Sequence, residues 1–236
     1  MSTVDPPTPS LKRQVRSFVM REGRVTASQK KAMETLWPIY GVGYSPERLN
    51  LDTLFGRNRP VTLEIGFGNG DSLVEMARNN PDNNYLGVEV YTAGVGHCLI
   101  AAKQQVVDNL RIISHDAIEI LNHQIDDGAL GAVQLFFPDP WPKKKHHKRR
   151  IINAGFIALL QRKIKSGGLF HFATDWQPYA DWALEHLEAT DGLVNLAGKG
   201  EFLPRPEYRP VTKFEKRGLR LGHGVWDLMY ENSSAS

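Results

Sequence analysis

The feature that most constrains this chain is an apolar strand pattern running without a break into a glycine-rich turn. Val61-Thr62-Leu63-Glu64-Ile65 leads straight into Gly66-Phe67-Gly68-Asn69-Gly70, and a helical pattern starts at Asp71. Glycines adopt backbone angles that other residues avoid and let the main chain approach a ligand closely. In a doubly wound sheet, such a first strand-to-helix turn lies at the carboxyl edge, where ligands bind. The rest of the chain agrees with that start, because short β-rich runs continue to alternate with helical patterns. Strands are expected over residues 62–65, 85–90, 111–114, 132–137 and 169–173, with helices over 71–79, 92–107, 117–124, 150–165 and 179–189. Two late β-type runs, 193–197 and 225–231, are placed as an antiparallel pair completing the sheet. The expectation is an α/β, Rossmann-like fold with a mostly parallel seven-stranded sheet and helices on both faces. A chain of 236 residues suits one such domain. Residues 1–31 show little periodicity and are read as a basic arm, leaving 32–236 as the domain.

The turn also excludes common nucleotide sites. It reads E-x-G-x-G-x-G, and the position three after Gly68 is Asp71, so the dinucleotide fingerprint is not met; a P-loop motif is absent as well. Acids instead recur at strand ends: Glu64, then Glu89 after Tyr85-Leu86-Gly87-Val88, then Asp116 after Ile112-Ile113-Ser114-His115. A carboxylate ending the second strand is placed to accept from ribose hydroxyls, and Asp116 is placed for an adenine amine. Three acids around a glycine turn repel a pyrophosphate and suit a cationic cofactor. S-adenosylmethionine has a sulfonium and no phosphate, and is the expected cofactor. Cys98 is the only cysteine, so no internal disulfide or cysteine-rich zinc site can form, and it is read as a small buried helix residue. Residues 1–10 carry Pro6, Pro7 and Pro9 without an apolar core segment, and no run of 18 apolar residues occurs. Neither a signal peptide nor a membrane span is expected, and the cytoplasm is the expected location.

Charge is distributed unevenly. Three segments, 1–31, 143–150 and 199–220, carry +15 between them, which leaves −12 on the remainder of a chain whose net charge is only +3. An acidic body with basic patches suggests a polyanion held by part of the surface. The densest patch follows a loop of unusual stiffness, Phe136-Phe137-Pro138-Asp139-Pro140-Trp141-Pro142. Three prolines in five residues fix φ and block a helix, so Asp139 and Trp141 are held in rigid backbone at the sheet's carboxyl edge. The loop is similar in form to the Asp/Asn-Pro-Pro-aromatic motif of methyltransferases acting on base nitrogens. The six Lys and Arg residues from Lys143 to Arg150 have no acid among them to pair with, and phosphates are their natural partners. His146 and His147 are assigned to phosphate or sugar contacts, and no metal is expected. Ala173-Thr174-Asp175-Trp176 and Arg209-Pro210-Val211-Thr212-Lys213-Phe214-Glu215 are further candidates for holding a base, because carboxylates accept the N1 and N2 hydrogens of guanine.

Taken in order and at their intervals, LEIGFGNG, GVEV, HDA, FFPDPWPKKKHHKRR, ATDW and VTKFE resemble the bacterial tRNA (guanine-N7-)-methyltransferase (TrmB) family from about Val61 to the C-terminus. The resemblance implies a class I S-adenosylmethionine-dependent methyltransferase that modifies N7 of a guanine in the tRNA variable loop. Cofactor residues then fall on Glu64, Glu89, Asp116 and Asp139, with Asp139 also the active-site residue, and Gly66 and Gly68 of the turn complete the expected cofactor site. Substrate contacts fall on Lys143, Asp175, Thr212, Lys213, Phe214 and Glu215, and the RNA-interaction region on Lys145, His146, His147, Lys148, Arg149 and Arg150. Besides tRNA, no obligate protein partner is implied, and a monomer is the expected form. Two other readings stay open at this point: an exocyclic-amine methyltransferase on RNA or DNA, and a non-catalytic RNA-binding module with a vestigial cofactor pocket.

Overall fold

The computed structural model describes residues 24–212, 215 and 224–234. Among these, eight strands form one sheet in the order β1-β4-β3-β2-β5-β6-β8-β7. The strands are β1 (Gly41–Val42), β2 (Val61–Ile65), β3 (Asn84–Val88), β4 (Leu110–Ile113), β5 (Leu130–Phe136), β6 (Ile164–Thr174), β7 (Leu193–Asn195) and β8 (Trp226–Asn232). Strands β1 to β6 pair in parallel, while β8 runs antiparallel between β6 and β7, so the expected terminal antiparallel pair is present. The sheet has one strand more than the seven read from sequence. The extra strand, β1, is a two-residue edge strand pairing with β4, too short to show an alternating pattern between Pro38 and Gly43.

Strand residues alternate between two cores because successive side chains leave a sheet on opposite faces. Val61, Leu63 and Ile65 of β2 pack with α3 (Leu51–Phe55), α6 (Ala117–His123), α7 (Ala154–Lys163) and α8 (Gln177–Glu188). The other face meets α1 (Ala27–Thr35), α2 (Trp37–Tyr40), α4 (Asp71–Asn79) and α5 (Thr92–Gln104). In α4, Leu73, Val74, Met76 and Ala77 form the buried side, as the helical spacing of apolar residues requires. Cys98 is fully buried in α5, and burial holds its thiol well above the usual range.

Helix α1 crosses residue 31, so the domain boundary drawn there is corrected: residues 24–31 join the folded unit. The reason is local. Thr26 and Gln29 form a reciprocal capping box, and the Gln29 amide donates to Ala93 O at 3.0 Å, tying α1 to α5. Residues 1–23 of the expected arm lie outside the described residues. No helix among the described residues is long and apolar enough to cross a membrane.

The topology decides where a ligand belongs. The chain leaves β2 toward β3 and β4 on one side, then returns to place β5 and β6 on the other. The order therefore reverses between β2 and β5, and the crevice beyond their carboxyl ends is the switch point at which doubly wound sheets bind ligands. The loops following these two strands are the glycine turn and the proline-rich segment.

Candidate active site and nucleic-acid interface

The glycine turn carries three left-handed residues, Gly66, Gly68 and Gly70. Gly66 and Gly68 have φ of +73° and +58°, and a Cβ added at either would point into open space. A side chain at these positions would be strained and would fill the space beside the turn. The turn is held from behind by Glu89: Gly68 N donates to Oε2 at 2.8 Å, while Val90 N and Tyr91 N donate to Oε1 at 2.7 and 3.0 Å. The Glu89 carboxylate thus fixes the loop geometry itself, in addition to any ligand it meets. Close packing against α5 completes the turn, since a Cβ on Gly94 would come within 2.1 Å of Gly68 O.

Glu64 sits beneath this turn and is only 2% exposed. Its Oε2 has no hydrogen-bond partner. Desolvation, with the Glu89 charge adding to it, pushes the Glu64 carboxyl up to about 8. A buried carboxyl oxygen lacking a partner, beside open backbone at a switch point, matches a ligand bearing positive charge. The sulfonium and ammonium of S-adenosylmethionine meet that requirement, and a pyrophosphate does not. The raised value has a consequence for stability. An acid whose folded value exceeds its unfolded one contributes stability present below about 4.5 and lost as pH rises toward 8. Cofactor-free protein should therefore lose stability across that window. Urea unfolding of the Glu64→Gln variant should show a flatter profile; parallel profiles for the two proteins would mean that Glu64 ionises normally.

Asp116 has a structural role of its own after β4. It is the N-cap of α6, accepting from Ile118 N through Oδ1 at 2.8 Å. It also lines a groove of about 380 Å³ shared with Lys148 and Arg149.

The second loop carries backbone strain. Phe137 and Trp141, neither of them glycine, have φ of +51° and +44° and bracket Pro138-Asp139-Pro140. Such conformations cost on the order of 1–3 kcal/mol each and persist only where surroundings over-determine them. The restraints here are visible: Phe137 N bonds Ala173 O at 2.8 Å, and Arg150 Nε donates to Pro140 O at 3.0 Å. The Asp139 charge is felt at Tyr179, whose hydroxyl is held well above its ordinary range chiefly by burial.

After Pro142 the chain forms a 3-10 turn, Lys144–Arg149, with Lys143, Lys144, Lys145 and Lys148 exposed. Arg149 stacks over the Trp141 ring at 4.7 Å, and His146 meets the same ring edge-on. His146 is held below its ordinary value by desolvation and by Lys145, Arg149, Lys143 and Lys148 around it. The turn is thus a concentrated cationic surface anchored to the strained loop. Arg150 departs from the expected RNA-facing set. It is 3% exposed, with its guanidinium over the rings of Tyr179 and Trp182 at 4.9 and 5.1 Å, because it is used to hold the loop.

Of the other predicted positions, Asp175 is half-buried at the end of β6, next to exposed Trp176. Lys213 and Phe214 lie outside the described residues. Thr212 and Glu215 bond each other, Glu215 N donating to Thr212 Oγ1 at 3.1 Å. Glu215 was expected to face substrate, yet it is 3% exposed and takes both terminal nitrogens of Arg209, at 2.8 and 3.1 Å. Arg209 is fully buried and also grips Asp227 of β8 through Nε and Nη2, at 2.7 and 2.9 Å. Its guanidinium lies 5.8 and 5.6 Å from the Phe136 and Phe137 ring centres, directly behind the strained loop. His171 bonds Asp227 through Nε2 at 2.8 Å and Tyr208 through Nδ1, and burial holds the imidazole below its ordinary value. Neutral His171 therefore donates to Asp227 and accepts from Tyr208. Glu64, Gln134 and His171 share one register across β2, β5 and β6, so a polar row runs through the sheet from the glycine turn to this cluster. Sequence reasoning missed the cluster, though single polar residues within Leu169–Ala173 and Trp226–Met229 were a signal for it.

Comparison with known proteins bears on this site. A family profile described as "Putative methyltransferase" matches residues 58–228. The tRNA (guanine-N(7)-)-methyltransferase of Aeromonas hydrophila subsp. hydrophila is 55% identical over 219 residues, covering 93% of this chain and 92% of that one. The protein of the same name from Cronobacter sakazakii is 56% identical over 218 residues, covering 92% and 91%. Among solved structures, the 16S rRNA methyltransferase KamB superposes with a TM-score of 0.57 at 15% identity, over 80% of this chain and 95% of that one. The aminoglycoside resistance methyltransferase NpmB1 gives 0.54 at 15% identity over the same shares. These distant likenesses bear on the fold alone.

Proposed function

The chain belongs to the tRNA (guanine-N(7)-)-methyltransferase family, and from that premise we propose that it methylates N7 of a guanine in the tRNA variable loop, with S-adenosylmethionine as donor. The observation that carries this reading is an adjacency: the strained loop holding Asp139 at the switch point passes, within two residues of Pro142, into the exposed cationic turn Lys144–Arg149. Phosphate contacts on the turn place RNA directly over the loop. A tRNA substrate also makes the cytoplasm the proposed site of action.

Guanine N7 has a lone pair and no hydrogen, so the nucleophile needs no general base. What the protein must do is align N7 and favour the positive charge that grows on the purine. Asp139 and Asp175, both half-buried near the loop, are suited to accept from N1–H or N2–H, whose acidity rises as N7 is alkylated. Bound S-adenosylmethionine supplies an electrophilic methyl group on its sulfonium. Glu64, Gly66, Gly68 and Glu89 are the residues that would hold it, Glu64 through its unpartnered Oε2 and the glycines by leaving the backbone open. Asp116 is proposed for the adenine end, next to α6.

The deciding experiment incubates unmodified tRNA with labelled S-adenosylmethionine and maps the labelled nucleoside. N7-methylguanosine sites break under borohydride and aniline, whereas a label resistant to that treatment would indicate an exocyclic amine. Tight tRNA binding without transfer would leave only a binding module.

The cationic turn gives a separate prediction. Neutralising Lys144, Lys145, Lys148 and Arg149 together should raise KM for tRNA and flatten its salt dependence, the slope falling by roughly 0.7–0.9 per lost phosphate contact. Cofactor affinity should stay unchanged. A variant that keeps the wild-type salt slope would remove the docking role from this turn.

A further inference from the structure

Outside the cofactor crevice, a second cavity of about 370 Å³ lies between the strained loop and α8. Its lining combines three kinds of chemistry. Trp176 and Trp182 supply aromatic faces, and Trp176 is left 42% exposed at the end of β6. Asp181 and Glu185, one helical turn apart and both exposed, supply carboxylates on one side of α8. Arg150, 3% exposed and held through Nε and Nη1 by Pro140 O and Pro178 O, completes the lining as a fixed cation.

We propose that this cavity takes a second unpaired base of the tRNA, one flanking the methylated guanine, and that it favours a base with an exocyclic amine. The inference rests on the tRNA-methylating reading above. Two carboxylates repel a phosphate and accept from an amine, which cytosine, adenine and guanine carry and uracil lacks. Stacking on tryptophan adds affinity that any base can gain. Position supports the flanking nucleotide: Trp176 follows Asp175, Pro142 precedes Lys143, and His147 belongs to the cationic turn, so the cavity borders both the proposed guanine site and the proposed phosphate surface. Unpaired bases stacked on aromatic side chains are the usual basis of single-stranded RNA recognition.

The test uses steady-state methylation of tRNA transcripts in which the nucleotides 5′ and 3′ of the target guanosine are changed, one at a time, to uridine or cytidine. Wild-type enzyme should lose several-fold in kcat/KM when one of the two positions becomes uridine. Asp181→Ala combined with Glu185→Ala should abolish that discrimination. Trp176→Ala should raise KM for tRNA about tenfold, the scale of one lost base stack, with cofactor affinity intact. Equal rates on all transcripts, or a wild-type KM in Trp176→Ala, would overturn the subsite. So would a Trp176→Ala variant that loses kcat alone, because the indole would then serve the target base. Failure of the functional reading shows separately, as wild-type enzyme that makes no N7-methylguanosine on any transcript, and takes the subsite with it.

Discussion

Replacing Asp139 with alanine is expected to cut methyl transfer by about 10²-fold or more, the scale on which one preorganised electrostatic group acts. The size of the effect follows from where the carboxylate is held. Phe137 and Trp141 take left-handed backbone on either side of the Pro138-Asp139-Pro140 segment, and the chain keeps that strain by tying Phe137 N to Ala173 O and Pro140 O to Arg150. A carboxylate fixed in advance pays no reorganisation cost when positive charge develops on the purine. The loss should therefore fall on kcat measured in single turnover at saturating cofactor and tRNA. Folding should be barely affected, because the two prolines and the Arg150 anchor remain. Asp139→Asn should recover little, since the amide keeps the shape and loses the charge. A rate within a few-fold of wild type in either variant would reduce Asp139 to a turn residue.

Much of this arrangement was legible in the sequence, for identifiable reasons. The glycine turn after β2 was readable because an apolar strand, three glycines in left-handed backbone and a helix leave few alternatives, and α4 spans Asp71–Asn79 as expected. The stiffness of the Pro138–Pro142 segment was readable because proline acts on its own φ wherever it sits. What could not be read depends on partners distant in the chain. Nothing near Arg150 marks it as buried, since its partners Tyr179 and Trp182 come from α8. Asp116 reads as a strand-end acid and is also a helix cap, two roles that the same residue type fills. β1 escaped because two residues cannot show a period. Glu215 was assigned outward from its place in a polar segment, and only the fold brings Arg209 and Asp227 around it.

That last cluster should dominate the protein's stability. Arg209 is a fully buried cation between two buried carboxylates, Glu215 and Asp227, and all five of its close contacts to them and to the Phe137 ring disappear in Arg209→Met. Removing one partner of a buried charged network leaves uncompensated charge, which costs about 3–5 kcal/mol. For a chain of this size that corresponds to a drop in Tm on the order of 10 °C. The loss should be largely reversed in a triple variant that also carries Glu215→Gln and Asp227→Asn, because the stranded carboxylates, more than the missing arginine, carry the penalty. A triple variant as unstable as Arg209→Met would instead assign the cost to lost packing against Phe136 and Phe137. Function separates the clamp from generic instability. Arg209 joins Glu215 to β8 and lies behind the loop that holds Asp139, so the stabilised triple variant, assayed well below its Tm, should still show a raised KM for tRNA. Its cofactor affinity should be unchanged, since the glycine turn is held independently by Glu89. If the triple variant recovers both stability and the wild-type KM, Arg209 serves the fold alone and the loop needs no support from the C-terminal segment.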